Sequence, residues 1–286
     1  MASASPSLLP LDSQQKQQQG GGQTAMAADE NWGTMKMRAL AERLRHYRAP
    51  SGGCVDEDDQ ESLKGAGVVS SMGVPESKVV TAEALKPSLG SKKAAVLICL
   101  FQDADGELRV LLTKRAGSLS SHSGEVALPG GKMDDGDADD AATALREAKE
   151  EIGLDPSAAK VVTLLEPFLS KHLLRVTPVV ALIPDKHKFT PCLNLAEVDA
   201  LFDAPLAMFL KDEHHRSEQR EWLGHPYRVH FFDFNFKGQQ YLIWGLTAAI
   251  LIRAACIIYQ QIPSFGEFTP GFDHFPKQPH EKEPKL

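Results

Sequence analysis

The sequence has little of what several protein classes need. Its 286 residues hold four cysteines, Cys54, Cys99, Cys192 and Cys256, widely spaced and without a C-x-x-C pair. That spacing excludes a zinc ribbon or a disulfide scaffold and fits a reducing compartment. Positive charge is short as well: 31 Lys and Arg stand against 38 Asp and Glu, a net charge of -7. Nothing here asks for a nucleic-acid backbone, so no nucleic-acid partner is expected. An acidic protein that binds a phosphorylated ligand needs local cations or a metal. No apolar core follows a basic start, so no secretory signal is expected. Only one apolar run, Tyr241 to Tyr259, nears membrane-spanning length. Arg253 interrupts it, at a cost of about 2.5–3.5 kcal/mol on insertion. Leu242, Ile243 and Trp244 read as a strand ahead of a break at Gly245, so the expectation is a core helix and no membrane span.

Length alone argues for roughly two domains, but the composition along the chain does not. Residues 1–34 are rich in Gln, Gly, Ser and Ala and poor in large apolar residues. They read as a disordered leader, because they cannot bury enough surface to offset the entropy of ordering. Residues 35–91 follow as a basic amphipathic helix and an acidic linker. In the helix, Met35 to Arg48, the residues Met37, Leu40, Leu44 and Tyr47 share one face. That face packs on the domain or serves a targeting role. In the linker, Asp56, Glu57, Asp58, Asp59 and Glu61 read as a solvated tether rather than a metal site.

Folded character begins at Lys92, and a single domain is expected over 92–265, with a flexible tail over 266–286. Ala94 to Phe101 is a continuous apolar run, short enough for a buried strand. Asp103 to Gly106 is a turn, and Leu108 to Leu112 the returning strand. Further strands are expected at 125–128, 161–165, 176–183, 227–234 and 240–244, with Gly238 as a hairpin turn. Helices are expected at 141–152 and 245–260. This alternation gives an α/β sandwich with a mixed sheet.

The chemistry concentrates in residues 130–154, which read GGKMDDGDADDAATALREAKEEIGL. Side chains three and four apart share a helix face. Glu147, Glu150 and Glu151 therefore project together, with Arg146 beside them and Lys149 pointing elsewhere. Three like charges at that spacing repel one another, and a hard divalent cation turns the repulsion into attraction. Magnesium takes oxygen ligands and bridges to phosphates. Gly130 and Gly131 let the backbone turn sharply ahead of the helix.

The run Gly131, Arg146-Glu147, Glu150-Glu151, Gly153-Leu154 resembles the signature of the Nudix hydrolases. The resemblance implies a Nudix α/β/α sandwich and cleavage of a diphosphate linking a nucleoside to another group. By position, Glu147, Glu150 and Glu151 would be the ligands of Mg2+, with Mn2+ as the alternative ion. Gly131 would add a backbone ligand, and Arg146 would orient the glutamates. One departure stands out. The family's loop glutamate falls six residues after the glycine, at Asp137 here, and the loop is one residue longer. Asp137 or Asp139 would take its place. Upstream, Leu111-Leu-Thr-Lys-Arg115, Leu119, His122, Gly124 and Pro129-Gly-Gly131 resemble the extra motif of the coenzyme A branch, most closely its plant members.

That branch implies hydrolysis of coenzyme A or acyl-CoA, with Arg115, His122, Gly124, Gly130 and Gly131 binding substrate. Arg115 would pair with a phosphate; His122 would touch phosphate or base, or satisfy a loop carbonyl. A carboxylate would take the proton of the attacking water, either a helix glutamate or Glu197. Glu197 otherwise reads as the first turn of a short surface helix. Two alternatives stay open. One is a Nudix hydrolase of ADP-ribose, NADH or oxidised nucleotides; the other is a binding module without catalysis. A homodimer is a further expectation, as the fold often dimerises. For location, the plant branch implies mitochondria or the cytosol; the leader is low in acids but has no Arg before Arg38, which makes it a poor transit peptide, while Pro284-Lys285-Leu286 is one substitution from a peroxisomal address.

Overall fold

The computed structural model describes residues 32–47, 69–70, 92–170, 174–222 and 225–265. The expected leader (to residue 31), the acidic run, Lys171-His172 and the tail from residue 266 lie outside the described residues.

The architecture grows from one apolar strand. β2 (Lys93–Gln102) is buried on both faces, which is why its sequence is apolar without alternation. Ala95, Leu97, Cys99 and Phe101 point to one side and pack with Ala144, Ala148 and Ile152 of α2 (Asp140–Ile152). Ala94, Ile98 and Leu100 point to the other and join the larger core with Ile250, Leu251, Ala254 and Ala255 of α3 (Gly245–Tyr259). The N-terminal helix α1 (Met35–Arg45) adds Met37, Leu40, Ala41 and Leu44 to that same core. The result is an α/β/α sandwich about a mixed sheet.

In that sheet β2 runs parallel to β8 (Arg175–Leu182) and antiparallel to β3 (Leu108–Arg115). β6 (Lys160–Leu164) pairs with β8, and β9 (Val198–Pro205) with β3. Two short strands, β4 (Val126–Ala127) and β5 (Gly130–Lys132), pair with β3 and β2. β1 (Val69–Ser70) and β7 (Phe168–Leu169) extend the β8 side. A second antiparallel sheet holds β10 (His215–Trp222), β11 (His225–Phe236) and β12 (Gln239–Trp244), and Phe232 and Ile243 anchor it in the larger core.

Three details depart from expectation. α1 stops at Arg45 rather than Arg48, with His46 as its C-cap. The expected strand at 125–128 divides: β4 covers Val126–Ala127, and a separate β5 begins at Gly130. β9 and β10 were not legible. β10 reads His-Arg-Ser-Glu-Gln-Arg-Glu-Trp, with almost no apolar residue to set a period of two, and only its pairing with β11 makes it a strand. The apolar run at 241–259 divides at Gly245, as expected, into β12 and α3. Among the described residues no helix is long and apolar enough to cross a membrane.

Candidate active site

The site forms where β5 leads into α2. Asp139 caps the helix by accepting from the Ala142 N–H at 2.8 Å. Gly153 ends it in a left-handed conformation, φ 71°. The cap fixes the start of the helix.

Arg146 is the hub. Its Nε and Nη2 grip Asp137 as a fork, at 2.9 and 3.0 Å. Nη2 also donates to the Lys132 carbonyl at 3.0 Å and to Glu147 Oε1 at 3.2 Å. Nη1 donates to Glu150 Oε2 at 3.1 Å. The arginine thus ties the loop and the end of β5 to two of the glutamates. The fork holds the Asp137 carboxyl well below the usual aspartate range, helped by the Asp134 N–H and the Thr143 hydroxyl. Between the two loop aspartates the geometry divides the work: Asp137 braces Arg146, and Asp139 caps the helix.

The glutamates take three different environments. Glu151 is buried and accepts from the Gly130 N–H at 3.2 Å. Burial, with Glu147 and Glu197 nearby, pushes its carboxyl up to about 7 against the pull of the Gly130 N–H and Arg115. Glu147 is partly buried, and burial raises its carboxyl too, with Glu150 and Glu197 adding repulsion against Arg146. Its carboxylate lies over Gly131: a Cβ there would sit 2.3 Å from Oε1. Glu150 stands at the rim, more than half exposed, and converges on the others less than helix periodicity implies.

Glu197 arrives from outside the signature. It precedes β9, so it belongs to a loop entering a strand and not to a surface helix. It is close enough to raise both Glu147 and Glu151. Arg115, at the end of β3, brings Nη1 to 3.7 Å from Glu151 Oε1. Its Nε is buried with no hydrogen-bond partner among the described residues. His122 lies in the turn before β4: its Nδ1 pairs with Glu125 at 2.8 Å, and the side chain is more than half exposed. Gly124 takes φ 71° in the same turn, and its N–H donates to the Arg115 carbonyl.

The family model described as the NUDIX domain matches residues 91–224. An Arabidopsis thaliana relative, Nudix hydrolase 15, mitochondrial, is 56% identical over 222 residues, 76% of each chain. The chain belongs to the Nudix family. A second Arabidopsis relative, Nudix hydrolase 22, chloroplastic, is 51% identical over 85% of this chain and 80% of its own. A mouse protein named as a peroxisomal coenzyme A diphosphatase is 38% identical over 62% of this chain and 75% of its own.

As a Nudix hydrolase the protein is an enzyme acting on phosphoric anhydrides of small molecules, and the family generally uses divalent metals such as Mg2+. Among the described residues no three His, Cys, Asp or Glu side chains form a ready-made metal cluster. The donors still fit a hard cation. Glu147, Glu151 and Glu197 are oxygen donors, and the Glu197 charge raises the other two carboxyls, the electrostatic situation that a divalent ion relieves. Asn194 is the residue at this site that the sequence did not single out. Its only local signal is an Asn three residues before a Glu.

Proposed function

We propose that this Nudix hydrolase cleaves the diphosphate of coenzyme A and acyl-CoA, giving adenosine 3′,5′-bisphosphate and 4′-phosphopantetheine or its acyl thioester. The observation that carries the reading is the placement of Arg115. The segment Leu111–Arg115 that resembles the coenzyme A motif is β3, and it delivers a guanidinium with an unused Nε–H to the edge of the carboxylate group. Arginine forks match phosphate oxygens, and coenzyme A offers a diphosphate and a 3′-phosphate. The name of the mouse relative supports the same substrate class.

Glu147, Glu150 and Glu151 would hold Mg2+, or Mn2+, with a backbone oxygen of Gly131. The bound cation would neutralise charge on the diphosphate and activate water at neutral pH. Arg146 keeps Glu147 and Glu150 oriented through its fork on Asp137. Glu197, facing Glu147 and Glu151 from the opposite loop, takes the proton of the attacking water. Arg115 neutralises a phosphate, and Gly130 and Gly131 give the diphosphate close access to the backbone; Gly124 shapes the turn that His122 shares.

Turnover on coenzyme A, acyl-CoAs, ADP-ribose and NADH, side by side with Mg2+ and with Mn2+, tests this. The expected result is fastest release of phosphopantetheine products, abolished by chelation. Activity confined to ADP-ribose, NADH or oxidised nucleotides would overturn the substrate. No turnover on any substrate would favour a binding module. For location we infer mitochondria or the cytosol, and the organellar names of the two plant relatives support an organelle. Fluorescent fusions at either end test this, including the peroxisome-like Pro284-Lys285-Leu286 ending.

A further inference from the structure

We propose that Asn194 is a positioning residue that holds the Glu197 carboxylate against the glutamates of α2. The proposal rests on the reading of Glu197 as part of the catalytic group.

Every polar group of Asn194 is committed to this task. Its backbone N–H donates to the Glu151 carbonyl at 3.0 Å, which joins the loop to the last turn of α2. Its carbonyl accepts from the N–H groups of Glu197 and Val198, both at 2.9 Å. Its side-chain Oδ1 accepts from the Ala196 N–H at 3.2 Å and closes an Asx turn. Its Nδ2 donates to Glu197 Oε1 at 3.3 Å. One residue thus bridges the helix that carries Glu151 and the loop that carries Glu197. The neighbouring Cys192 N–H, bonded to the Ile152 carbonyl at 2.9 Å, adds a second stitch between the same two segments.

The need for such a brace is electrostatic. Glu197 repels both Glu147 and Glu151. In the resting enzyme that repulsion drives Glu197 outward, and a short loop without a brace would let it go. A neutral N–H donor holds the carboxylate against the repulsion without adding a charge of its own. An aspartate would keep the Asx turn through its oxygen but lose the donor and add a like charge. Asparagine is the side chain that offers an acceptor to Ala196 and a donor to Glu197 together.

The test is a double-mutant cycle of N194D and N194A with E197Q, assayed on whichever phosphoric anhydride the parent cleaves, so that failure on coenzyme A sinks only the substrate reading. The loss of a supporting hydrogen bond of this kind costs about 10–100-fold. Both single variants of Asn194 should lose kcat to about that extent with KM nearly unchanged. In the E197Q background the same changes should cost almost nothing further. Mn2+ titration of the resting protein supplies a readout apart from turnover: N194A and E197Q should each weaken binding several-fold, and the double variant no more than either. N194D retains the Asx turn, so it decides the matter if N194A unfolds. Full kcat in N194D, or losses that multiply in the E197Q background, would overturn the proposal.

Discussion

At the scale of single residues, the site is a balance between burial and charge. Glu151 accepts from the Gly130 N–H where burial disfavours its charge, and in the proposed reading a bound cation would share that charge. Glu151→Gln should therefore lower turnover by about two to four orders of magnitude, the worth of several kcal/mol of charge stabilisation. Its circular-dichroism spectrum should match the parent, because the amide still accepts from Gly130. Gly131→Ala makes a subtler case. The added methyl would lie 2.3 Å from Glu147 Oε1, and the flexible carboxylate moves more easily than the backbone. A displacement of about 1 Å at a reacting group costs about 100-fold, so kcat should fall by that much with the melting temperature little changed. Asp137 governs acid behaviour. Its carboxyl is held below the usual range by Arg146, so its contribution is complete above the ordinary aspartate pKa of about 3.9 and is lost as pH falls further. Asp137→Asn should cost about 2 kcal/mol at neutral pH, the worth of a charge-assisted bond. Urea melts at stepped pH should show that gap narrowing below pH ~4, where the carboxylate of the unfolded chain begins to be protonated while the folded one stays charged. A gap that stays constant into strong acid would refute the assignment.

At the scale of elements, α2 is positioned by its two ends. Asp139 caps one, and Gly153, whose Cβ would lie 2.8 Å from the Cys192 Cβ, lets the other end close on the 192–197 loop. Asp139→Ala should destabilise the fold by about 1 kcal/mol, seen as a lower urea midpoint. Because the cap acts before the catalytic turn, residual turnover per folded molecule should stay near that of the parent. The sequence made α2 readable as a helix over 141–152, and the structure buries its apolar positions Ala144, Ala148 and Ile152. It made β2 readable through unbroken apolarity. It could not make β10 readable, since an edge strand of charged residues is extended only because β11 lies beside it. Glu197 was read between a loop and a surface helix for a related reason: Val198–Pro205 mixes aspartates with apolar residues, and only pairing with β3 makes it a strand.

At the scale of the whole molecule, the larger core that joins the N-terminal helix to the sandwich also contains buried polar groups. Glu166 and Arg253, both buried, form an ion pair between the segment after β6 and the centre of α3. The Tyr47 hydroxyl, just past α1, donates to Glu166 at 2.8 Å. Burial and the Glu166 charge together raise the Tyr47 phenol well above its ordinary value, so it remains a donor throughout the neutral range. Glu166→Met removes the carboxylate partner of a buried guanidinium and should cost about 3–5 kcal/mol. Pairing it with Arg253→Met should recover part of that loss, because the guanidinium no longer needs a counter-charge, while the Tyr47 hydroxyl still loses Glu166 as its acceptor. Differential scanning calorimetry of the single and double variants checks this; equal losses in both would mean that the pair does not act as a unit.

The sequence by itself determined the fold class, the strand and helix that carry the signature, and the cluster of Glu147, Glu150, Glu151 and Arg146. Those features are local: periodicity, capping residues and i, i+4 spacing act within a dozen residues. Only the tertiary structure decided that Asp137 takes the Arg146 fork, that His122 turns to Glu125, that Arg115 meets Glu151, and that Glu197 arrives with Asn194 as its brace. The meeting of Arg115 with Glu151 and the arrival of Glu197 depend on how β3, β9 and α2 pack, which no spacing along the chain encodes; the other contacts are short-range, but they depend on loop conformations that have no periodicity to read.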